Sequence, residues 1–287
     1  MNFTSQVLLV PISAIDHEDR TYSLTLWKEI PDEDLLTSIK RFGILHPPIL
    51  HKNGNNSYKI ITGNKRITAA RHLAQEDSVL CRIIPENTKQ TAIFSLLLED
   101  AIAGSPLSII EQIIFFEKLV KASSTMEAVP MLEQLGYKPQ KHILDNLLKL
   151  RSLSEPSLLA MHRGTIQSKN GRKLLNLSKT DQNQIVQLIN ELHFGGSKQQ
   201  KLIDLCIELT KRKNMHLEEI LADFPSTDEH GQHMNIPQHG AALLLWLQNK
   251  CFPQLSQTEN DFKRKIAKLN LPSSMHIEHT PAFENKE

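Results

Sequence analysis

Residues 58–73 read YKIITGNKRITAARHL, and this stretch decides the first part of the fold. Its first five residues are rich in aromatic and β-branched side chains, which favours a strand. Gly63 permits a tight turn, and the helical spacing of apolar residues then predicts a helix over 64–75. The residues predicted to face the core are Ile67, Ala70, Leu73 and Ala74. A helix that starts with Lys65 and Arg66 can face an anion, although the same residues also fit a helix start with two solvated cations.

The length and composition of the chain exclude several classes of protein. Its 287 residues suit two domains of ordinary size or three small ones. No run of 18 apolar residues occurs and the first residues lack a basic segment, so we expect neither a membrane span nor a signal peptide. The three cysteines are odd in number and far apart, which favours reduced thiols over a disulfide scaffold or a zinc site. Motifs of P-loop, Rossmann and zincin proteins are absent from the sequence.

Strand and helix signals alternate through the first hundred residues. Strands are predicted at 7–12, 47–50, 58–62 and 79–84, and helices at 32–43, 64–75 and 88–102. The second and third strands flank the turn KNGNNS and could form a hairpin. The loops are too irregular for a doubly wound sheet, so residues 1–104 are expected to form a small α+β domain.

After Gly104 the strand signals all but vanish and helices follow one another. The first of these helices is predicted over 107–122, with Ser105 as its N-cap and Pro106 as its first residue. A polar linker is predicted at 224–240. The expected regions are a helical one at 105–180, a C-terminal helical one at 181–272 and a poorly ordered tail at 273–287.

Charge is unevenly distributed. Residues 121–180 carry ten basic and four acidic side chains, a net charge of +6, whereas the whole chain has +1. Within them, segment 126–151 has the layout of a helix-turn-helix, which places a stripe of donors on its second helix. The predicted DNA-binding residues are Lys138, Gln140, Lys141, His142, Asn146 and Lys149. Two helices of an ordinary bundle with a solvated face would give the same pattern.

The order of these features resembles the ParB family of DNA-partitioning proteins over roughly residues 6–180. The resemblance rests on LLTSIKRFGILHPPIL, YKIITGNKRITAARHL, LLLEDAIAGSPLSIIEQ, MLEQLG and LLKLRSLSEPSLLAMHRGTIQSKNGRKLLNL. It implies a ParB/sulfiredoxin-like α+β N-terminal domain, followed by an all-α helix-turn-helix region and a helical C-terminal region. In many members the first domain binds CTP, which closes a clamp of two protomers around DNA, and slow hydrolysis reopens the clamp.

The family's nucleotide motifs map onto three places in this chain. The first is a Gly followed by a Pro four residues on, here Gly43 and Pro47. The second is Gly-Glu-Arg-Arg and then an Ala, here Gly63, Asn64, Lys65 and Arg66 with Ala69. The resemblance implies that these residues bind the nucleotide.

The third motif of the family is Glu-Asn-x-Gln-Arg, and here it departs from the pattern. Residues 99–103 read Glu-Asp-Ala-Ile-Ala, so the Gln-Arg pair is lost. Asp100 could still bind Mg²⁺ together with the nucleotide, since carboxylates are good ligands for that ion. Glu99 is the one catalytic candidate. Because a phosphate donor is missing, we expect at most a slow nucleotide hydrolase.

Two enzymatic alternatives follow from the same fold. Sulfiredoxin activity is not expected, because that protein's catalytic Cys lies in the loop that corresponds to 63–66, where this chain has none. Cys81 lies in a predicted strand and is expected to be buried. A nucleotide-dependent phosphotransferase or a nuclease, with Glu99 in the reaction, is the alternative that stays open.

The resemblance and the charge pattern together favour a ParB-like DNA-binding protein of the partition or transcription-regulator type. Its expected partners are double-stranded DNA, a second copy of the chain in a homodimer, and a Walker-type partition ATPase. The expected cofactors are CTP and Mg²⁺, and the expected location is the cytoplasm, in association with the nucleoid. No membrane partner is expected.

Overall fold

The computed structural model divides the chain into two compact units, Met1–Ser152 and Leu153–Glu287. The residues that the structure describes are 6–27, 30–54, 56–73, 77–225 and 235–267. The predicted tail at 273–287 therefore lies outside the described residues. The predicted boundaries at 104 and 180 define smaller regions than these two units, and they stay predictions.

A five-stranded mixed sheet forms the centre of the first unit. Its strands are β1 (Gln6–Pro11), β2 (Ile15–Asp16), β3 (Ile49–Lys52), β4 (Tyr58–Thr62) and β5 (Ser78–Ile84). They lie in the order β1-β5-β3-β4-β2. The pairs β1–β5 and β3–β4 are antiparallel, whereas β3–β5 and β2–β4 are parallel. The predicted hairpin of β3 and β4 is confirmed.

The core of the first unit lies between this sheet and α2 (Asn64–Leu73). Ile67 of α2 is completely buried among strand residues, as predicted. Ala69 is also fully buried, whereas the predicted core residues Ala70 and Leu73 are half-buried and Ala74 lies outside the described residues. Cys81 is buried as predicted, and burial raises the pKa of its thiol to about 11, so it is inert as a nucleophile.

The helix predicted over 32–43 is observed as α1 (Glu33–Phe42), with caps at both ends. The Asp32 carboxylate accepts a hydrogen bond from the amide of Leu35 at 2.8 Å. At the other end Gly43 has a φ of +68°, a conformation that glycine adopts without strain. The local capping signals were therefore sufficient to bound this helix.

Three helices follow the sheet: α3 (Gln90–Gly104), α4 (Ile109–Ala122) and α5 (Thr125–Ala128). The prediction that α4 is capped by Ser105 is wrong, because Ser108 is the N-cap. The Ser108 hydroxyl accepts from the Glu111 amide, and the Glu111 carboxylate accepts from the Ser108 amide at 2.8 Å. This reciprocal pair satisfies two helix-end donors at once, which Ser105 could not do because the residue three positions after it is Ser108 and carries no carboxylate.

The predicted helix-turn-helix consists of a 3-10 helix over Val129–Leu135, a turn and α6 (Lys141–Lys149). Pro130 lies in the first turn of the 3-10 helix, where its missing N–H is tolerated. A last 3-10 turn over Leu150–Ser152 ends the first unit.

The described part of the second unit is helical. Its helices are α7 (Glu155–His162), α8 (Ser168–Leu174), α9 (Lys179–Glu191), α10 (Gly196–Lys213), α11 (Leu217–Leu221), α12 (Ile236–Cys251) and α13 (Pro253–Ala267). The short α11 was not predicted. The prediction of a linker up to residue 240 is wrong at its end, because the capping pair Asn235 and Gln238 starts α12 earlier.

These observations confirm the predicted fold class, an α+β N-terminal domain followed by helical regions. Within the described ranges, no strand occurs after β5. Among those same residues, no helix has both the length and the apolar character that crossing a membrane requires.

Candidate functional site

The turn between β4 and α2 is shaped by Gly63. Its φ is +87°, and a Cβ atom built on it would lie 2.9 Å from the Cβ of Pro48 and 3.1 Å from the Arg66 guanidinium. A side chain here would therefore be strained by the backbone and would collide with a neighbouring segment. Glycine at this position allows β4 to pass directly into α2.

The first turn of α2 forms a positively charged end. It holds Asn64, Lys65 and Arg66 and no carboxylate. The first amides of a helix have no intrahelical acceptor, and the helix dipole adds a partial positive charge there. Lys65 is exposed, whereas Arg66 is half-buried and donates from Nη1 to the carbonyl oxygen of His46. Lys65 is therefore the more accessible cation, and Arg66 both carries charge and ties the turn to the segment before β3.

A cavity of about 340 Å³ opens beside this helix start. Its volume lies within the range of small-molecule sites. Among the predicted nucleotide-binding residues, the cavity is lined by Gly63, Asn64, Lys65, Arg66 and Asp100. Gly43, Pro47 and Glu99 do not line it. Gly43 instead borders a separate pocket that is lined by residues of α1, α2 and β5 among others.

The two neighbouring carboxylates of α3, Glu99 and Asp100, point to different faces of the helix. Glu99 and Asp100 are both exposed, but only Asp100 lines the cavity. Consecutive helical residues point about 100° apart, so two neighbouring carboxylates cannot face the same atom. Ala101 also lines the cavity. The cavity thus has one carboxylate from this motif, and Glu99 lies beside the site, on another face of α3.

Another part of the cavity wall comes from a loop that sequence reasoning missed. The wall residues of this loop are Asp19, Arg20, Tyr22, Ser23 and Leu24. The Asp19 carboxylate forms an ion pair with Lys59 of β4 at 2.9 Å. Burial alone would raise the pKa of Asp19, but the hydrogen bonds from Lys59 and Thr21 outweigh it and lower that pKa. Asp19 is therefore an ionised anchor of the loop.

Tyr22 fixes the same loop from the inside. It is buried, and its hydroxyl lies 3.2 Å from Nδ1 of His51 and 3.1 Å from Oε1 of Gln90. Burial lowers the pKa of His51, so the ring is neutral at pH 7. The local sequence around Tyr22 carries no motif, and its role follows from residues about 30 and 70 positions away. Only the tertiary structure could have identified this wall.

The residues predicted to bind DNA lie together on the surface of α6 and the turn before it. Lys138, Gln140, Lys141, His142, Asn146 and Lys149 are all exposed. The opposite side of the helix is buried through Leu144, Leu147 and Leu150. Among the described residues, none of the three lysines forms an ion pair. The exposed Asp145 is the one acidic side chain within the helix.

The turn before α6 is held in place by its own backbone conformation and by one side-chain contact with α4. Gly136 has a φ of +78°, and the amide of Tyr137 donates to the carbonyl oxygen of Leu132 at 3.1 Å. The Tyr137 hydroxyl donates to Oε1 of Gln112 on α4 at 2.7 Å. These contacts orient α6 against α4, so that its polar face points away from the first unit's core.

A larger cavity of about 530 Å³ lies in the second unit, but its chemistry is less specific. Asp204 and Glu208 line it, and each is already paired, with Lys173 at 2.5 Å and Arg212 at 2.9 Å. Its lining has a single cation, Lys201, and no glycine, whereas the cavity beside α2 combines the Gly63 turn with the cations Lys65 and Arg66. The smaller cavity beside α2 is therefore the better candidate site.

The first unit thus contains an α+β domain in which a glycine turn and a cationic helix start border a cavity. Residues 3–100 match the family model described as the ParB N-terminal domain. This match confirms the resemblance that the motifs of the first unit indicated.

Curated relatives share the name nucleoid occlusion protein. One from Bacillus thuringiensis (strain Al Hakam) is 27% identical over 191 residues, which cover 66% of this chain and 63% of the relative. One from Bacillus mycoides (strain KBAB4) is 26% identical over a region of the same length. The chain thus spans somewhat less than two thirds of the length of the relatives it matches.

Solved structures of the C-terminally truncated chromosome-partitioning protein ParB from Caulobacter crescentus are also similar. The one complexed with CTP-γ-S is 17% identical, covers 65% of this chain and 99% of that chain, and has a TM-score of 0.30. The one complexed to the centromeric parS site is 15% identical, covers 69% of this chain and 98% of that chain, and has a TM-score of 0.39.

Proposed function

We propose that this protein is a ParB-like DNA-binding protein whose first unit binds a nucleoside triphosphate, with CTP as the expected nucleotide. The observation that carries the proposal is the cavity beside α2, where Gly63, Lys65 and Arg66 meet Asp100 in a domain of the ParB N-terminal family. DNA binding is assigned to the exposed basic face of α6.

The helix start of α2 suits a phosphate for three separate reasons. Free amides at a helix N-terminus donate to phosphate oxygens, and the helix dipole favours negative charge there. Lys65 and Arg66 add two full positive charges within the same turn. Gly63 lets the backbone approach a ligand closely, because it has no side chain to block the cavity.

The residues present also suit a magnesium ion that arrives with the nucleotide. Among the described residues, no group of three metal-binding side chains occurs, so the protein alone offers no complete metal cage. Mg²⁺ usually takes one or two carboxylates and completes its shell with phosphate oxygens and water. Asp100 on the cavity wall would be that carboxylate, and the ion would neutralise phosphate charge.

The basic face of α6 suits the phosphate backbone and base edges of duplex DNA. The face presents three exposed lysines and three other polar side chains on α6 and the turn before it, and the helix is buried on its other side. Lysines contact phosphates, whereas Gln140 and Asn146 can pair with base edges in a major groove. We assign this face to DNA because these lysines have no carboxylate partner among the described residues.

The partners and the cellular role form the outer part of the proposal. The relatives are nucleoid occlusion proteins, so we expect this chain to act at the nucleoid. A homodimer and a Walker-type partition ATPase are the further partners that we propose. Partition and transcriptional regulation both fit a protein that binds DNA and responds to a nucleotide.

Calorimetry of the full chain with CTP, ATP and GTP in the presence of Mg²⁺ tests the nucleotide part. We expect heat of binding with CTP, and about tenfold or greater loss of affinity in Lys65→Ala, because a cation at the helix start is removed. Lys52→Ala, an exposed lysine on β3 that does not line the cavity, is the matched control. If no nucleotide gives heat with the wild type, with or without DNA, the cavity is degenerate and the first unit is structural.

A further inference from the structure

The hydroxyl group of Thr62 is buried without a hydrogen-bond partner. Among the described residues, its Oγ1 is the one buried side-chain oxygen or nitrogen that has none. The residue is 7% exposed. Buried hydroxyls are nearly always paired, because an unpaired one loses its hydrogen bonds to water and gains none. An exception of this kind calls for a physical explanation.

The position of Thr62 supplies that explanation. It is the last residue of β4, directly before the Gly63 turn, and it lines the cavity beside α2. It pairs with Ile49 at the point where the register of β3 and β4 shifts. The unpaired hydroxyl therefore lies at the junction of strand and helix, next to the amides and cations of the helix start.

We propose that the Thr62 hydroxyl donates a hydrogen bond to a phosphoryl oxygen of the nucleotide, and so serves as a binding residue that no motif identified. This inference rests on the nucleotide site proposed above. Because the hydroxyl oxygen is itself inaccessible to solvent in the free protein, the side chain must turn about χ1 to another staggered position to reach the ligand, and there it can donate its proton to an anionic oxygen. Hydrogen bonds to ionised acceptors are about twice as strong as neutral ones, so the bound state would satisfy what the free protein leaves unpaired.

A hydroxyl with this role lowers the stability of the free protein and raises affinity for the ligand. Thr62→Val has nearly the same shape and no hydroxyl, so it should affect the two properties in opposite directions. We expect the midpoint of thermal unfolding of the free protein to rise by about a few degrees, because the unpaired group is gone. We expect CTP affinity to fall by about tenfold.

The experiment measures CTP and deoxy-CTP binding by calorimetry and thermal unfolding of the free full chain. Thr62→Ser keeps the hydroxyl and should bind within about threefold of the wild type, which is under 1 kcal/mol. Thr68→Val makes the same exchange on α2, away from the cavity lining, and should leave binding unchanged. If Thr62→Val does not fold, Thr62→Ala replaces it as the variant without a hydroxyl.

The outcomes separate this inference from the proposed function. Wild-type binding that Thr62→Val retains at full strength would overturn the role of Thr62 and leave the nucleotide site standing. A loss seen with CTP but not with deoxy-CTP would place the hydroxyl at the ribose and also overturn it. Absence of nucleotide binding in the wild type would overturn both the site and the inference.

Discussion

The ammonium group of Lys118 donates a hydrogen bond to the carbonyl oxygen of Ser23 at 2.6 Å and a second one to the carbonyl oxygen of Arg20. Lys118 lies on α4, and the two carbonyls belong to the loop that forms one wall of the candidate site. Burial lowers the pKa of this lysine, but the two acceptors replace part of its lost hydration. Helix α4, which follows the α+β domain in sequence, thus holds in place the loop that forms one wall of the candidate site.

Replacing Lys118 should therefore loosen the loop. Lys118→Met keeps the apolar stem and removes both hydrogen bonds, each worth about 1 kcal/mol. We expect faster amide hydrogen exchange over residues 20–24 and weaker nucleotide binding. Lys121→Met, an exposed lysine on the same helix, is the control and should exchange like the wild type. Unchanged protection of the loop in Lys118→Met would show that other contacts hold it.

Gly63 should be the least replaceable glycine of the first unit. We expect Gly63→Ala to lower the free energy of unfolding by roughly 1–3 kcal/mol, because the backbone has a φ of +87° and the added Cβ meets Pro48 at 2.9 Å. Gly104→Ala at the end of α3 is the matched control, since its Cβ would meet nothing within 4 Å. Urea unfolding of both variants measures the difference, and equal stabilities would contradict the strain argument.

The lysines of α6 should set the salt dependence of DNA binding. We expect the triple variant Lys138→Ala, Lys141→Ala, Lys149→Ala to lose most of its affinity for duplex DNA. The slope of log affinity against log salt should become shallower by roughly 0.9 for each DNA phosphate that the variant no longer neutralises.

The control for this triple variant is a second triple variant, which removes the same net charge by replacing three exposed lysines of the second unit with alanine. The control residues are Lys198, Lys211 and Lys213. Fluorescence anisotropy at several salt concentrations measures both variants. A folded α6 variant that binds with the wild-type slope would mean that another surface binds DNA.

Hydrolysis of nucleoside triphosphates should be very slow or absent, even with DNA present. The cavity has one carboxylate from the third motif, and Ile102 and Ala103 stand where the family has its Gln-Arg pair. Glu99 does not line the cavity, so Glu99→Gln should leave the phosphate-release rate unchanged. Brisk turnover that this substitution abolishes would favour the phosphotransferase or nuclease alternative over the DNA-binding proposal.

Stability of the first unit should fall as the pH drops below about 6.5, the ordinary pKa of histidine. Burial lowers the pKa of His51 in the folded state, so the unfolded state binds a proton first as the pH falls. The stabilisation is therefore complete above the unfolded pKa and is lost as pH falls toward the folded pKa. His51→Gln should flatten this dependence between about pH 7.5 and 5.5 in urea unfolding. An equally steep dependence in the variant would assign it to other groups.

Much of the local structure was predictable because its causes are local. The caps Asp32 and Gly43 bound α1, and the strand-turn-helix around Gly63 follows from residues adjacent in sequence. Each signal acts through hydrogen bonds within a few residues, which a sequence displays directly. The N-cap of α4 was missed because Ser105 and Ser108 are both suitable, and only the reciprocal bonds with Glu111 decide between them.

The sequence by itself determined the α+β fold class, the cationic helix start at Lys65 and Arg66, and the exposed basic face of α6. The tertiary structure alone decided which of these residues meet. It placed Asp100 on the cavity wall and Glu99 outside it. It also showed that Tyr22 lines the cavity, that Lys118 holds the loop of the cavity wall, and that the hydroxyl of Thr62 is unpaired. The reason is physical: periodicity shows which face of an element is apolar, but a cavity is formed by elements whose contacts span tens of residues along the chain.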